Sequence, residues 1–333
     1  MGLQREDRQA AKMNLFLLYN IQLKRINVKQ FSKLIGILLS FTLMTLISGC
    51  GGGDTTSTST STSTPTGKLS LYITDAPPQL GENVTGVNIA VIGIEYNYEG
   101  NWTTADDFVP QTFNLLDLQN GKSLYLGDII LPAGHYSEIR FKLAAPSKIS
   151  EVKANPDCNI TYADGSSVPL FVPSGAQSGY KGKGAFDITA DAKIAVTADF
   201  DVYKSIVVTG SGDYILKPVI RLVVTELSGM IKGTVVDVSD YNTTSLVVYS
   251  YRSDAYDISE EDGVDGIYFP NSVSAGDVNM SDGNFTLAFL AEGNYSLITA
   301  EYSGDSFAGV VDQVDHVEVL KGQTTLVDIN TSN

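Results

Sequence analysis

The chain has 333 residues, 43% hydrophobic and 18% charged, which allows about two domains with buried cores and excludes a disordered body. Lys and Arg number 22 against 38 Asp and Glu, a net charge of −16. Nucleic acid is excluded as a partner, because neutralising phosphates takes clustered cations. Two cysteines and two histidines rule out a disulfide framework and a Cys-rich zinc module, and leave little for His-based metal sites or triads.

The first fifty residues read as an address. Lys24, Arg25, Lys29 and Lys33 precede an apolar run from Leu34 to Ile47, closed by Ser48, Gly49 and Cys50. A basic stretch, a short apolar stretch and small residues before a cut make a secretory signal. The run is short for a membrane span, which needs about 20 residues; an uncleaved anchor is the alternative. Ile47-Ser48-Gly49-Cys50 resembles the lipobox of prokaryotic lipoproteins. That resemblance implies that residues 1–49 are removed and that Cys50 is acylated and heads the mature chain. Two or three acyl chains hold firmly where one is marginal, at about 0.8 kcal/mol per buried CH₂. It places the protein extracytoplasmically in the cell envelope, with the membrane as partner. Gly51 after the cysteine implies the outer membrane if the source is Gram-negative.

Residues 50–66 are a Gly/Ser/Thr tether with nothing apolar to bury. In the flexible regime it spans about 20–24 Å, and its hydroxyls are candidates for O-glycosylation.

From Lys68 the pattern has period two. Leu69, Leu71 and Ile73 alternate with polar residues; so do Ile139, Phe141 and Leu143, and Ile194, Val196, Ala198, Phe200 and Val202. Alternation of this kind predicts strands with one buried and one wet face. No long helical stripe follows the signal. The expected class is all-β: two antiparallel sandwich- or barrel-like domains in tandem, residues 67–227 and 228–333, behind the signal peptide and linker. Charge separates the two, at 12 basic and 19 acidic residues over 50–227 against 3 and 17 over 228–333.

Thr74-Asp75-Ala76-Pro77, Leu115 to Gly121, Leu131 to Arg140, Val172-Pro173-Ser174, Asp199 to Ser205 and Leu216 to Arg221 together resemble the DUF4382 lipoprotein domain, over about 68–226. No activity travels with that resemblance. Gly229 to Val235, Asp282 to Leu287 and Leu290 to Leu297 resemble the carboxypeptidase-regulatory-like, transthyretin-type sandwich, grouped with starch-binding-like folds, over about 229–329. It implies a spacer or carbohydrate-facing module. The insert Asp254–Val273 is longer and more acidic than that pattern.

Chemistry is sparse. Ser150-x-x-Lys153 and Ser178-x-x-Lys181 lack the companion motifs of penicillin-recognising enzymes, and no Gly-x-Ser-x-Gly elbow occurs. Cys158 and His135 are a conceivable thiolate and base. Gly121-Lys122-Ser123 lacks the first glycine of a phosphate loop and reads as a hairpin turn. Asp199 and Asp201 share one strand face about 7 Å apart, with Lys217 and Arg221 placed to neutralise them. Ion pairing, a bound cation or ligand, and acid–base catalysis all stay open. Asp75 is similar, though an Asp in a turn usually bonds its own backbone.

Asp254, Asp257, Glu260, Glu261, Asp262 and Asp265 offer oxygens for calcium without EF-hand spacing; a solvated charge run is the plain alternative. Tyr96, Tyr98 and Trp102 flank Gly100 in an expected hairpin, and Tyr249, Tyr251, Tyr256 and Tyr268 gather near the insert. Such rings are sugar platforms or cross-strand packing. Eight Asn-x-Ser/Thr sequons follow Cys50, at Asn83, Asn101, Asn159, Asn242, Asn279, Asn284, Asn294 and Asn330. A turn-rich composition supplies such residues by chance, and an archaeal source would make glycosylation plausible.

The expected function is a non-enzymatic, lipid-anchored surface protein presenting β domains to a polysaccharide or a surface protein. A calcium-stabilised adhesion module and an envelope hydrolase using the paired carboxylates are the alternatives.

Overall fold

The alternation that starts at Lys68 becomes strand β1 (Thr66–Ala76), with Leu69, Leu71 and Ile73 fully buried. The structure is a computed structural model that describes residues 64–76, 83–144, 157–241, 245–263, 267–304 and 306–330. The signal, Cys50, most of the tether, Ser150, Lys153, Asn242 and Asp265 lie outside the described residues.

Twelve further strands join β1 in one sheet. The first six are β2 (Val84–Tyr98), β3 (Asn101–Thr104), β4 (Gln111–Asn114), β5 (Leu124–Pro132), β6 (Gly134–Leu143) and β7 (Asn159–Tyr162). Then come β8 (Ser167–Phe171), β9 (Tyr180–Ile188), β10 (Lys193–Asp201), β11 (Ile206–Val208), β12 (Tyr214–Leu216) and β13 (Ile220–Val224). The long β2 organises them. Its first half pairs with β7 and β4, its second half with β6 and β3, and the register shifts between Val91 and Gly93. The sheet therefore forks at β2. One limb runs β6-β9-β13-β10-β1-β5 and the other β7-β8-β12-β11. Residues of both limbs, among them Leu71, Ile89, Phe141, Ile160, Leu170 and Phe200, fill one core.

β1 lies parallel to β10, β13 to β9 and β12 to β8, so the sheet is mixed where an antiparallel build was expected. Parallel neighbours need long crossover connections. Periodicity reports which face a strand buries, and is silent on strand direction. Gly184, on β9 beside β13, has φ +156, and a Cβ there would stand 2.1 Å from the Leu222 carbonyl oxygen. A side chain is excluded there.

Seven strands follow: β14 (Ser228–Val235), β15 (Ser245–Arg252), β16 (Ser274–Asp277), β17 (Asn284–Ala291), β18 (Gly293–Ser303), β19 (Ser306–Val319) and β20 (Thr324–Ile329). They make two sheets, β17-β14-β20 and β16-β15-β18-β19, with β14 and β20 parallel. Ile231, Leu246, Val248, Leu287, Tyr295 and Leu297 pack between the sheets. Strand β15 is buried on both faces. Its other face, with Val247, Tyr249 and Tyr251, packs beside Ile298, Tyr302 and Phe269 in a second core. Phe269 and the half-buried Tyr256 and Tyr268 come from the insert Asp254–Val273, which thus covers this sheet.

Within the compact unit Thr62–Asn333, no ladder joins the thirteen-stranded sheet to the later two among the described residues. Side chains make the join instead.

Candidate functional site

Asp199 and Asp201 end β10 and part company. Asp199 is buried and faces Arg221, its partner in the β13 register, at 2.5 Å. Arg221 also donates to the Phe289 carbonyl oxygen at 3.1 Å, reaching from β13 to β17. The wet face expected for Asp199 is covered, because this side of the sheet meets the later strands. Asp201 instead caps the helical turn Val202–Ser205, accepting from Lys204 N at 3.0 Å, and its other oxygen pairs with Lys204 Nζ at 3.0 Å. Lys204 Nζ further donates to Ser272 O at 2.6 Å. Lys217 is exposed and pairs with neither aspartate.

Asp75 is 5% exposed at the end of β1. Its Oδ1 accepts from Val202 N at 3.2 Å, across 127 residues of chain, and its Oδ2 has no partner. The expected local turn bond is replaced by a long-range one. Burial lifts its carboxyl well above the usual range, the Val202 bond opposes this, and the neighbouring Asp201, Asp199 and Asp277 add to the rise. Burial likewise pushes Asp277, on β16, up to about 7.

A folded-state pKa above the unfolded value means the folded chain holds that proton more tightly. The resulting stability is complete below the ordinary carboxylate range and is lost as pH rises through about 7 for Asp277. Asp277→Asn is expected to flatten the melting midpoint between about pH 4 and 7, an effect on the order of 3 kcal/mol. Melting curves across that window check it; an unchanged slope in the variant contradicts it.

The acidic insert does not gather its carboxylates on one point. Asp257 caps the 3-10 turn Ile258–Asp262 by accepting from Ser259 N at 2.9 Å. Glu260 is buried and accepts from the Tyr251 hydroxyl at 2.8 Å, Asn271 N at 3.0 Å and Asn271 Nδ2 at 3.1 Å. Glu261 accepts from the Tyr256 hydroxyl at 2.5 Å. Asp254 and Asp262 are exposed. No group of three His, Cys, Asp or Glu placed to hold a metal ion occurs among the described residues. Spacing counted the acids, whereas the fold spends the oxygens of Asp257, Glu260 and Glu261 on hydroxyl and amide donors.

The aromatic hairpin is divided. Tyr96 and Tyr98 turn toward the buried Tyr136, with ring centroids 6.2 and 6.1 Å away. Tyr249 and Tyr251 are core residues. Trp102, on β3 opposite Asn97, sits on the other face of the sheet, beneath Arg140 at 3.8 Å and Lys181 at 5.3 Å from the ring centroid. The same face carries Lys142, Lys183, Glu95 and Glu138. Glu95 pairs with Arg140 at 2.8 Å and Lys142 at 3.1 Å, and Glu138 with Lys181 at 2.9 Å. Burial raises the Glu95 carboxyl, but its bonds to Arg140 and Lys142 outweigh that and hold it below the usual range. Lys181 and Lys183 are exposed.

The candidate nucleophiles among the described residues, Cys158 and Ser178, have no base beside them. Cys158 is buried, its thiol pushed up to about 11 by burial, with Ala90 N donating to its sulfur. His135 is exposed on Asp187. Ser178 Oγ donates to Ser174 O while Lys181 pairs with Glu138. Asn120 and Gly121, at φ +57 and +80, turn the chain between the 3-10 turn Leu115–Leu118 and β5; no strand precedes the turn, so it is not a hairpin.

Sequence reasoning missed Lys204, Tyr203 and Asp277. Lys204 had a signal, standing three residues after Asp201 where an ion pair forms on a helical turn. Tyr203, whose hydroxyl accepts from Tyr268 N at 2.7 Å, and Asp277 acquire their roles only when distant segments meet.

No helix of the described residues is long and apolar enough to cross a membrane. No curated protein matches the chain. Three solved structures resemble it distantly. The TIE protein of Bacillus anthracis is 16% identical with a TM-score of 0.18, over 79% of this chain and 34% of that one. The chain thus spans about a third of that protein's length. A minor pilin of Streptococcus agalactiae is 12% identical, TM-score 0.17, over 79% and 94%. A shaft pilin of Lactobacillus rhamnosus GG is 11% identical, TM-score 0.21, over 82% and 99%. The all-β class rests on the sheets themselves and on none of these. Residues 66–218, from β1 to just short of β13, match the family described as "Domain of unknown function (DUF4382)".

Proposed function

We propose that this is a lipid-anchored protein of the cell envelope whose β body is held off the membrane to bind an extracellular ligand, without catalysis. The observation that carries this reading is Ile47-Ser48-Gly49-Cys50 followed at once by a Gly/Ser/Thr tether and, at Thr66, by the first strand of a β body. A lipobox, a spacer and a folded module in that order make a display device. The two domains of the reading are residues 67–227 and 228–333, the second a transthyretin-type sandwich.

The face that suits a ligand best is the one bearing Trp102, Arg140, Lys142, Lys181 and Lys183. It is an island of four cations in an acidic protein, and its tryptophan lies beneath two of them. Such a surface suits an acidic polysaccharide, whose carboxylates replace Glu95 and Glu138 as partners while sugar faces meet the indole edge. Asp199, Asp201, Asp257, Glu260 and Glu261 are spent on the protein's own donors, so neither hydrolysis nor calcium adhesion gains support from them.

Residues 67–333 are expected to be retained on immobilised polygalacturonate at low salt and released as salt rises, since exposed charges are screened within about 8 Å at physiological ionic strength. Lys181→Glu with Lys183→Glu is expected to abolish retention and to leave the melting midpoint within a few degrees. Retention of the double variant contradicts the assigned face.

A further inference from the structure

We infer that the exported body carries N-linked glycans on its exposed sequon asparagines, chiefly Asn101, Asn279, Asn284 and Asn294. Fifteen asparagines follow Cys50, and eight of them begin a sequon. Ser and Thr make up about a fifth of that stretch, so composition alone gives about three. A turn-rich sequence supplies the residue types but does not order them two apart. The excess lies in the spacing.

The fold leaves most of the same asparagines accessible. Asn83, Asn101, Asn279, Asn284, Asn294 and Asn330 are exposed and Asn159 is half-buried. Of the described asparagines outside sequons, Asn88, Asn97 and Asn114 are half-buried and bond Asn159 Oδ1, Gly100 N, and both Val87 N and Leu116 N, while Asn120 and Asn271 are exposed. Every described sequon asparagine falls within the first two residues of a strand or in the adjoining turn: beside β2, β3, β7, β16, β17, β18 and β20. An oligosaccharide attached there projects from the body without crossing a ladder or entering a core. Asn279 and Asn284 close one turn, with Asn279 N donating to Asn284 O at 2.9 Å, so one glycan fills the space of both.

The step is a glycosyl transfer. The asparagine Nδ2 bonds to the anomeric carbon of an oligosaccharide borne on a polyprenyl phosphate or diphosphate. The bond from that carbon to the phosphate oxygen breaks, the carrier leaves with the electron pair, and the amide gives up one proton. A membrane oligosaccharyltransferase facing the exterior performs it, so the inference rests on the export reading above.

The test is peptide mass mapping of the full-length protein purified from its native membranes, with Asn101→Gln and Asn294→Gln variants in the same host. Peptides carrying Asn101, Asn294 and the Asn279–Asn284 turn are expected to show a common series of sugar masses, each variant losing one glycan. The peptide that begins at Cys50 separates the two readings. Acylated Cys50 with bare asparagines at all these sites overturns glycosylation and leaves the anchor standing. Glycans beside an unacylated chain support glycosylation and overturn the anchor. Bare asparagines on an unacylated chain overturn both.

Discussion

Arg221→Met is expected to cost about 3–5 kcal/mol, because it leaves the Asp199 carboxylate buried with no cation. Asp199 has 7% of its side chain exposed and pairs with Arg221 at 2.5 Å. Arg221 also ties β13 to β17 through the Phe289 carbonyl, so its loss loosens the join between the sheets as well. Arg221→Met combined with Asp199→Leu is expected to recover most of the loss, since a buried pair exchanged for apolar groups is often neutral or better. Lys217→Met, at an exposed cation without that pairing, is expected within about 0.5 kcal/mol of the parent. Urea unfolding midpoints of the four proteins decide it. A double variant no more stable than Arg221→Met would mean that shape, not charge, holds the junction.

Glu260→Ala is expected to cost about 3–4 kcal/mol. It strands three donors at once, the Tyr251 hydroxyl and both nitrogens of Asn271, and bonds to a charged acceptor contribute about 1.5–3 kcal/mol each before relaxation. The loss falls on the insert that covers β15 and meets the first sheet through Tyr203 and Tyr268 and through Lys204 and Ser272. Accordingly, Glu260→Ala is expected to expose Tyr268 and Phe269 to solvent, visible as increased hydrogen exchange at 254–273 below the unfolding transition. Glu261→Gln, a half-buried neighbour with one hydroxyl donor, is expected to lose about 1 kcal/mol. Equal losses at both positions would contradict the assignment of Glu260 as the insert's anchor.

What the sequence disclosed follows from what periodicity measures. Period-two alternation in Leu69–Ile73, Ile139–Leu143 and Val196–Phe200 reports a buried face, and those faces are buried. It does not report direction, so the parallel pairs β1 with β10 and β14 with β20 were invisible. It also fails where both faces are covered. Tyr249 and Tyr251 read equally as a sugar platform or as packing, and the insert lies over them. Carboxylate counting failed for the same reason. Asp199, Asp201, Glu260 and Glu261 are close in sequence to other acids, but Asp199 and Glu260 meet Arg221, Tyr251 and Asn271 from other elements, and Asp201 and Glu261 meet Lys204 and Tyr256 within five residues. Arg221 was legible as a partner for Asp199 because each lies in a strand pattern of its own and the two patterns are close in the chain. Asp75 reaches Val202 at the end of the neighbouring strand β10, 127 residues away in the chain, which no local rule supplies.

The measurement that tests display most directly is the mass of the peptide beginning at Cys50, released by trypsin at Lys68 from the full-length protein in its own membranes. The account predicts a chain that starts at Cys50 and carries two or three acyl groups. It also predicts that Cys50→Ser moves the protein out of the membrane fraction. A peptide that continues upstream of Cys50 with an unmodified thiol would contradict it.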